Sequence, residues 1–498
     1  MSLLRSEVWS GPIGASLLVI LASCPTLAEA QDSWDAVFLS GQKVGHIHTF
    51  VAPVRDKGRD LFRVRVDMVL SFKRDKDRVT IETRYGTIET PEGAVLRLDS
   101  RTLASKQEMR TFGDVINNQM TLTLEGAGHR QQMVIPWGSD VRGPYAAEQS
   151  LSRTPIKSGE SRSLRMFIPD LNKVCDMTLA ARAPEEVELG GGEKRPLMRV
   201  EQTAVIEGKP RPEYSMTYWV DTGGQVLKSS SDIMGGMVTY RTTREAATSP
   251  DGTGTLDHLI MSIVKVTHKI PRSESSRNIV YRVALNGDSP VQVFPNDRRQ
   301  AIQPGKDKTS ATLRVKTAGP NDGPQGPEAV DKEFVLPNSL ITSTDERVMA
   351  LARQAVGDAV DPWDKAVRIG HWVATNMKDK NFATTFAPAS EVARNLSGDC
   401  TEHGVLTAAL CRAAGIPARV VIGLVYVDHL GGFGFHLWNE VYVNRRWVAI
   451  DATFDQAEVD AVHLKLSDTS LAGVSPYEAF LPVVRVMNKL TIETQEVR

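Results

Sequence analysis

A cysteine, a histidine and an aspartate follow one another in the C-terminal part of the sequence, in patterns that could carry nucleophilic catalysis. Cys400 stands in the run Ser-Gly-Asp-Cys-Thr-Glu-His-Gly, His436 precedes Leu-Trp-Asn-Glu, and Asp451 ends the run Trp-Val-Ala-Ile-Asp. In chain order these residues match a thiol nucleophile, the base that takes its proton and the carboxylate that orients the base. The chemistry they predict is attack of a thiolate on a carbonyl carbon.

The residues around Cys400 predict that its thiol lies in the first turn of a helix. Gly398 allows a sharp turn just before it, and apolar residues then recur at helical spacing until Gly415 and Pro417 end the pattern. Unsatisfied backbone N–H groups and the helix dipole at such a position favour the thiolate, so the pKa of the thiol can fall below the free value of about 8.5. The same N–H groups could bind an oxyanion.

Two short strands are predicted beyond this helix, and their register decides whether His436 and Asp451 can meet. The strands cover residues 437–443 and 446–451, with residues 444–445 between them as a tight turn. A two-residue turn places His436 and Asp451 on the same face of the sheet. Their backbones would be roughly 7–8 Å apart on the diagonal, which two side chains can close to a hydrogen bond. A three-residue turn would place them on opposite faces.

These segments resemble the transglutaminase-like superfamily, in which a cysteine at a helix N-terminus packs on an antiparallel sheet that carries histidine and aspartate. The resemblance covers residues 340–465 and rests on Gly-Asp-Cys at 398–400, Gly-Ile-Pro-Ala-Arg at 415–419, His-x-Trp-x-Glu-Val-Tyr at 436–442 and Trp-Val-Ala-Ile-Asp at 447–451. It implies a triad of Cys400, His436 and Asp451. Leu437 stands where a small residue is common in the family, and we expect its side chain to face away from the site.

Two further residues are candidates for substrate binding. Trp438 shares the predicted face of His436 and would wall a substrate groove, although a tryptophan in a strand is more often part of the core. His429 lies in segment 428–434, whose glycines predict a mobile flap over the cleft. His403 lies on the cysteine's own helix, but only His436 has an aspartate positioned to hold its tautomer.

The residue patterns argue against a metalloprotein and against a nucleic-acid-binding protein. Cys400, Glu402, His403 and His436 include no second ligand pair at zinc-finger spacing, and no acidic loop has the spacing of a calcium site. The chain has 59 basic and 60 acidic residues, a formal net charge of −1, and no basic patch suited to a phosphate backbone. We therefore expect no metal, no cofactor and no nucleic acid, and a protein or peptide as the substrate.

The length and patterning predict a multidomain protein, with N-terminal antiparallel β domains followed by an α+β transglutaminase-like, or papain-like, catalytic domain. With 498 residues, 41% of them hydrophobic, the chain can form about three domains. In the catalytic domain, Ser343 with Glu346 predicts a capping box before one helix, and Asp361 with Pro362 predicts the start of a second. The predicted units are a signal peptide at 1–30, an antiparallel β-sandwich or barrel at 31–250, a small β domain at 251–317, a Gly/Pro-rich linker at 318–335 and the catalytic domain at 336–498.

The first thirty residues have the pattern of a secretory signal. A basic residue, an apolar run and Ala-Glu-Ala at 28–30 predict cleavage before Gln31 and a periplasmic or extracellular protein. The run Leu-Ala-Ser-Cys also resembles a lipoprotein box, which would leave Cys24 lipidated, and only then do we expect attachment to a membrane. Beyond the signal, three cysteines remain: Cys175, Cys400 and Cys411. An odd number in an exported protein indicates a free reactive thiol, and Cys400 is the candidate, whereas Cys175 and Cys411 are expected to be buried.

Two classes of function remain open. In the first, the chain is an exported enzyme that acts on a peptide, isopeptide or glutamine amide through a cysteine thioester, which water or an amine then resolves. In the second, the transglutaminase-like fold is catalytically inactive and serves as a peptide-binding or envelope-scaffolding module. Retention of all three matched residues favours the enzyme, and faster alkylation of Cys400 than of Cys175 and Cys411 would discriminate between the two.

Overall fold

The computed structural model describes most of the chain after the first 29 residues. Residues 1–29 lie outside the described part. They include Cys24 and all of the predicted signal peptide except its last residue. Residues 323–329 of the predicted linker also lie outside it. Within that part, no helix is long and apolar enough to cross a membrane. The described ranges are 30–74, 77–104, 107–126, 129–169, 171–232, 236–250, 263–271, 273, 276–322, 330–379, 386–473 and 476–498.

One large sheet, with sixteen strands in the described residues, occupies the first half of the chain. In a typical strand, Met120 and Leu122 are buried while Gln119 and Thr121 are exposed, which is the period of two that predicted β structure here. The strands are β1 Gln31–Leu39, β2 Gln42–Asp56, β3 Arg59–Arg74, β4 Asp77–Glu89, β5 Val95–Ala104, β6 Gln107–Ile116, β7 Gln119–Gly126, β8 His129–Pro136, β9 Val141–Arg142, β10 Ser161–Ile168, β11 Lys173–Glu188, β12 Lys194–Ile206, β13 Lys209–Pro210, β14 Met216–Val220, β15 Val226–Ser231 and β16 Met237–Thr242.

Most neighbouring strands in this sheet are consecutive in the chain. Their order reads β8-β7-β6-β5-β4-β3-β2-β1-β16-β15-β14-β12-β11-β10-β9, with β13 beside β12. The first and last long strands, β1 and β16, pair antiparallel in the middle, whereas β9 and β10 pair in parallel. Two helices, α1 Ala146–Arg153 and α2 Arg244–Thr248, accompany the sheet. The predicted antiparallel character of this region is confirmed.

A second, four-stranded sheet joins the middle of the chain to its C-terminal end. Its strands are β18 Asn278–Leu285, β19 Gln300–Pro304, β20 Ser310–Lys316 and β25 Leu490–Val497, in the order β19-β20-β18-β25. The sequence predicts a separate small β domain at 251–317, but β18 pairs along its length with the C-terminal β25. Buried residues of both segments belong to one hydrophobic core. A pairing across some two hundred residues leaves no trace in local periodicity, so the predicted boundary could not anticipate it.

The third sheet and its helices contain the predicted catalytic segments. Its strands are β17 Val264–Lys265, β21 Ala418–Val427, β22 Gly432–Val443, β23 Arg446–Ile450 and β24 His463–Thr469. The order is β17-β22-β21-β24, and β23 also pairs with β22. The helices are α3 Glu346–Val356, α4 Pro362–Asn376, α5 Ala389–Asn395, α6 Cys400–Ala413 and α7 Pro476–Val486. Helix α6 is buried along nearly its whole length, so it forms the centre of the shared core.

The starts of α3 and α4 test the two helix caps that the sequence predicts. The prediction for α4 is confirmed, because the Asp361 side chain accepts hydrogen bonds from two backbone N–H groups and Pro362 is the first helical residue. The predicted Ser343–Glu346 box is wrong. Helix α3 begins two residues later than that box requires, and Asp345 is its N-cap. An aspartate accepts these bonds as well as a serine does, so the sequence offered two caps of equal quality.

Candidate active site

Cys400 is the first residue of α6, as the sequence predicts. The Asp399 side chain accepts a hydrogen bond from Thr401 N at 2.8 Å, and Glu402 Oε2 accepts one from Asp399 N at 3.0 Å, so the two carboxylates form a capping box. Gly398 has φ 137°, and a Cβ there would lie 2.5 Å from the Glu402 side chain. Only glycine fits this turn, which delivers the cysteine to the positive end of the helix dipole.

The buried acid next to the cysteine is held by backbone N–H groups. Glu402 is fully buried, and its other carboxylate oxygen accepts a hydrogen bond from Ala387 N at 3.0 Å. Burial, together with the neighbouring Asp399 carboxylate, raises the pKa of Glu402 to about 8. Glu402 therefore anchors the segment before α5 to the turn that carries Cys400, and it adds little negative charge beside the thiol at neutral pH.

The three described cysteines lie in very different surroundings. Cys400 is half-buried, whereas Cys175 and Cys411 are buried, and none of the three forms a disulfide. Burial raises the pKa of Cys175 and that of Cys411 to about 12 each. Both buried thiols therefore remain protonated at neutral pH, so they are matched controls for the reactivity of Cys400.

The register that the sequence left open is the one with a two-residue turn. Val443 pairs with Arg446, and the two residues between them, Asn444 and Arg445, both have positive φ. His436 therefore shares a face with Asp451, and His436 Nε2 lies 2.6 Å from Asp451 Oδ2. The expectation that these two side chains meet is confirmed.

Every hydrogen-bonding position on the Asp451 carboxylate is used. Oδ1 accepts hydrogen bonds from the backbone N–H groups of Thr453 at 2.7 Å and Phe454 at 3.3 Å, and Oδ2 accepts from His436 and His463. Burial alone would raise the pKa of Asp451, but the charge and the hydrogen bonds of the two imidazoles outweigh it and hold the pKa well below its usual value. Asp451 is thus an anion that fixes Nε2–H on His436 and leaves Nδ1 as that ring's acceptor nitrogen.

His463 is the residue of this cluster that the sequence did not predict. It begins β24 and is fully buried, with Nε2 3.0 Å from Asp451 Oδ2 and Nδ1 2.7 Å from Asp460 Oδ1. Burial opposes its charging, but hydrogen bonds to Asp451 and Asp460 outweigh that effect and raise its pKa. A signal existed in the sequence, since residues 463–467 alternate polar and apolar after an Asp-x-x-His pair.

His436, Asp451 and His463 also form a group whose potential ligand atoms lie within 4.8 Å of one another. In a tetrahedral zinc site with bonds of 2.0–2.1 Å, neighbouring ligand atoms are about 3.3 Å apart. The separations from Asp451 Oδ2 are instead 2.6 Å to His436 and 3.0 Å to His463. These distances are typical of hydrogen bonds between an imidazole and a carboxylate, so the geometry favours a proton network over a metal centre.

Helix α6 packs against β22 through a glycine. A Cβ on Gly404 would lie 2.0 Å from Leu437 Cδ2, and Asn439 Nδ2 donates to the Gly404 carbonyl at 2.9 Å. Leu437 points away from the cluster of His436, Asp451 and His463, as expected, and on that other face it contacts the cysteine helix one turn after Cys400. The larger side chain is accommodated because the helix residue opposite it has no Cβ.

The edge of β22 is unpaired beside His436 in the described ladders. On this edge β17 pairs with residues 432–433 and β23 pairs with residues 439–443, while β21 covers the other edge throughout. Residues 434–438 therefore border a gap between two short strands. The side chains of His436 and Leu437 point to opposite faces of this strand.

The packing of Gly404 against Leu437 leads to a testable prediction. Gly404→Ala is expected to lower the free energy of unfolding by about 1–3 kcal/mol, because the added methyl overlaps the leucine. In the double variant Gly404→Ala/Leu437→Ala, the methyl occupies space that the leucine leaves, so the loss should be smaller than the sum of the single losses. Urea titrations of the four proteins measure this coupling.

A matched glycine provides the control for this double-mutant cycle. Gly370 lies inside α4, and a Cβ there would meet no atom within 4 Å. Gly370→Ala should therefore be neutral or stabilise the protein by up to about 1 kcal/mol. Strictly additive losses at positions 404 and 437 would show that the contact does not set the fit of α6 on β22.

Trp438 lies inside the protein beside the imidazole. Its side chain is 1% exposed and packs with Val421, Ala449 and Val459. Its ring lies nearly parallel to that of His436, with a centroid distance of 6.0 Å and an interplanar angle of 19°. Trp438, which the sequence predicts to wall a substrate groove, is thus a buried residue that packs beside the His436 ring.

His429 lies away from this cluster. It is exposed on the short 3-10 turn Asp428–Leu430, and β22 begins two residues after that turn. His436 is seven residues further on and pairs with Gly423, about 13 Å along the strand from Gly432. The predicted flap is wrong for residues 432–434, because they form a strand. Gly432 lets β17 approach closely, since a Cβ there would lie 2.7 Å from Val264 O.

A separate cavity of about 380 Å³ lies at the far end of the same sheet face. Lys465 Nζ contacts Glu440 at 2.8 Å and Asp468 at 2.9 Å, and Arg419 contacts the same two carboxylates at 2.6 and 3.0 Å. The charges compensate one another, which indicates a structural ion-pair network. The cavity is lined by Pro295, Asn296, Asp297, Arg298, Arg299, Arg419, Glu440, Trp447, Lys465 and Asp468.

Comparison with known families agrees with this geometry. Residues 349–452 match the family model of the transglutaminase-like superfamily. The matched segment includes α6, β21, β22 and β23 and all three residues of the predicted triad. The chain therefore carries a transglutaminase-like domain, as the sequence resemblance predicts.

Several solved structures match parts of the chain at low identity and low TM-score. A putative cysteine protease from Cytophaga hutchinsonii is 17% identical, with a TM-score of 0.29, and the match covers 44% of this chain and 86% of that one. A beta-barrel-like protein from Brucella abortus is 12% identical, with a TM-score of 0.32 and coverage of 43% and 96%. The periplasmic domain of TgpA from Pseudomonas aeruginosa, bound to ethylmercury, is 16% identical, with a TM-score of 0.22 and coverage of 37% and 92%. No curated protein matches the chain.

Proposed function

We propose that this chain is a cysteine-dependent enzyme that cleaves or transfers amide bonds through a thioester on Cys400. The observation that carries the proposal is the 2.6 Å contact between His436 Nε2 and Asp451 Oδ2, beside a helix that begins at a half-buried cysteine. An imidazole fixed by a carboxylate in this way is a base with one defined proton acceptor, Nδ1. In this proposal the Cys400 thiol lies within reach of that nitrogen, beside the stretch of the β22 edge that has no described ladder partner.

The proposed reaction begins with transfer of the Cys400 thiol proton to His436 Nδ1. The thiolate then attacks the amide carbon, forming a C–S bond and an oxyanion that backbone N–H groups at the start of α6 can stabilise. Collapse of this intermediate breaks the C–N bond, and His436 returns the proton to the departing amine. Water or a second amine finally attacks the thioester, giving the acid or a new amide and releasing the thiol.

The substrate class within this proposal is a peptide bond, an isopeptide bond or a glutamine carboxamide. Hydrolysis of a peptide or isopeptide bond is our preferred outcome, by analogy with exported bacterial members of the family. We also place the mature protein outside the cytoplasm, with Gln31 as its first residue. Mass spectrometry of the N-terminus in the producing cell checks both points: a lipid on Cys24 would contradict Gln31 as the first residue, and an intact leader would contradict export.

Product analysis on a library of peptides and amines tests the proposed reaction. Hydrolysis predicts free carboxylates and released amines, and transfer predicts amides of the added amine that disappear when the amine is omitted. Incubation in H₂¹⁸O adds a direct label, because only hydrolysis places ¹⁸O in the product acid. Absence of both products across the library, with Cys400 reduced, would contradict the proposal.

One observation favours the alternative of an inactive peptide-binding or envelope-scaffolding module. His436 is only 3% exposed, so little of the imidazole is open to a substrate. An inactive module would bind peptides and leave them unchanged, and binding would survive loss of the thiol. Isothermal titration with Cys400→Ala, together with product analysis of the wild type, separates the two functions.

A further inference from the structure

We propose that His463 is a positioning residue of this site, an imidazolium held between Asp451 and Asp460 that fixes Asp451 against His436 and offsets part of its charge. The inference rests on the proposed function, since it concerns the base of that reaction. It extends the predicted triad to a chain of four buried side chains that alternates histidine and aspartate.

The hydrogen-bond geometry requires two protons on His463. Its Nε2 lies 3.0 Å from Asp451 Oδ2 and its Nδ1 lies 2.7 Å from Asp460 Oδ1. An ionised carboxylate only accepts hydrogen bonds, so each ring nitrogen must donate. A neutral imidazole has one N–H and would leave one buried nitrogen lone pair facing a carboxylate, which is repulsive.

Asp460 is held as an anion by its own partners. Its Oδ2 accepts a hydrogen bond from Gln456 Nε2 at 2.8 Å, and its Oδ1 also accepts one from Val462 N at 3.2 Å. The Gln456 backbone pairs in turn with that of Asp451, through two hydrogen bonds of 2.8 Å. The loop from residue 451 to residue 463 thus closes on itself and presents both carboxylates to one ring.

The other groups that face His463 are aromatic or are bonded to backbone. The rings of Trp438 and Phe454 lie edge-on to it at 5.3 and 6.1 Å. Arg299 Nη2 donates to Asp460 O at 2.6 Å, and Tyr281 OH donates to Ala461 O at 3.0 Å. The titratable and charged groups that enclose it are therefore Asp451, Asp460, His436, Arg299 and Tyr281.

The position of His463 matters because one oxygen serves two imidazoles. Asp451 Oδ2 accepts from both rings, whose centroids lie 5.5 Å apart. A positive charge at that distance makes protonated His436 less stable, so His436 releases its proton more readily to a departing amine. Without this charge the carboxylate would act on His436 alone and would hold the proton there.

His463→Gln separates the charge from the hydrogen bond. A glutamine amide can still donate to Asp451 Oδ2 but carries no charge. We expect the alkaline limb of kcat/KM to move to higher pH by about one to two units, because protonated His436 becomes more stable. Asp460→Asn should move the limb in the same direction, because His463 then loses the partner of its second proton, and this variant also serves if His463→Gln does not fold.

His371→Gln provides the matched control. His371 Nδ1 lies 3.0 Å from Asp455 Oδ2, but the His371 side chain is 64% exposed on α4. Removing this surface pair should leave the pH profile unchanged. A merely structural role for His463 would lower stability and kcat without moving the alkaline limb.

The charge on His463 can be read without turnover, from the ¹⁵N shifts of its two ring nitrogens between pH 5 and pH 9. We expect both nitrogens to be protonated at pH 7, together with the shifted limb in His463→Gln. A neutral His463 ring at pH 7, or an unmoved alkaline limb of kcat/KM in folded His463→Gln, would overturn the inference. The proposed function would still stand if the wild type turned over substrate. Failure of the proposed function is a separate result, wild-type protein without turnover, and it would overturn the positioning role with it.

Discussion

Cys400→Ala is expected to abolish turnover, with kcat/KM falling by at least about 10³-fold. The Cys400 sulfur is the only protein atom that bonds to the amide carbon in the proposed reaction, so no residual covalent route remains. Removing a nucleophile of this kind leaves only what binding and oxyanion stabilisation contribute. The measurement is kcat/KM of wild type and variant on the amide identified by product analysis.

Cys411→Ala is the control for this result, because it removes a thiol from the same helix. Cys411 is buried, and its pKa lies near 12, so it takes no part in the reaction at neutral pH. The control variant should keep kcat/KM within a few-fold of the wild type if it folds. Turnover that survives in Cys400→Ala, or that vanishes equally in both variants, would contradict the assignment of the nucleophile.

Asp451→Asn is expected to lower kcat by about 10²–10⁴-fold with a much smaller change in KM. Its Oδ1 accepts two backbone N–H groups, so the asparagine must place its carbonyl oxygen there. The asparagine NH₂ then takes the place of Oδ2, which in the native protein accepts hydrogen bonds from His436 and His463. His436 is forced to keep its proton on Nδ1 and can no longer take one from the thiol.

An exposed aspartate four residues later is the control for this variant. Asp455 pairs with His371 at the surface, with 48% of its side chain exposed, so Asp455→Asn should leave kcat unchanged. The NMR tautomer of His436 gives a second readout, with the Nδ1–H form expected in Asp451→Asn. A kcat close to that of the wild type, with the native tautomer retained, would show that the carboxylate does not orient the base.

The parts of the site that the sequence predicted depend on short-range rules. The start of α6 is predicted by Gly398 and the apolar spacing after Cys400, and the structure adds a capping pair of Asp399 and Glu402 within the same five residues. The meeting of His436 with Asp451 follows from a two-residue turn, which fixes the faces of both strands at once. A glycine, a cap and a hairpin are local features, so their consequences can be derived without knowledge of the rest of the fold.

The parts that the sequence did not predict depend on contacts between distant segments. His463 joins the site because β24 pairs with β21 beyond a loop that holds Asp460, and no local pattern specifies that pairing. The contact between Leu437 and Gly404 depends on the face of β22 on which α6 packs. Likewise, β25 completes the second sheet from the far end of the chain.

The central claim is that the thiol of Cys400 and the imidazole of His436 act as one unit, and the pH dependence of alkylation tests it most directly. Iodoacetamide modification of Cys400, followed by mass spectrometry against Cys175 and Cys411, should proceed at nearly the same rate at pH 6 and pH 8 in the wild type. In His436→Ala the rate should instead rise with pH toward the ordinary thiol pKa of about 8.5. Identical pH profiles in the two proteins would contradict the claim.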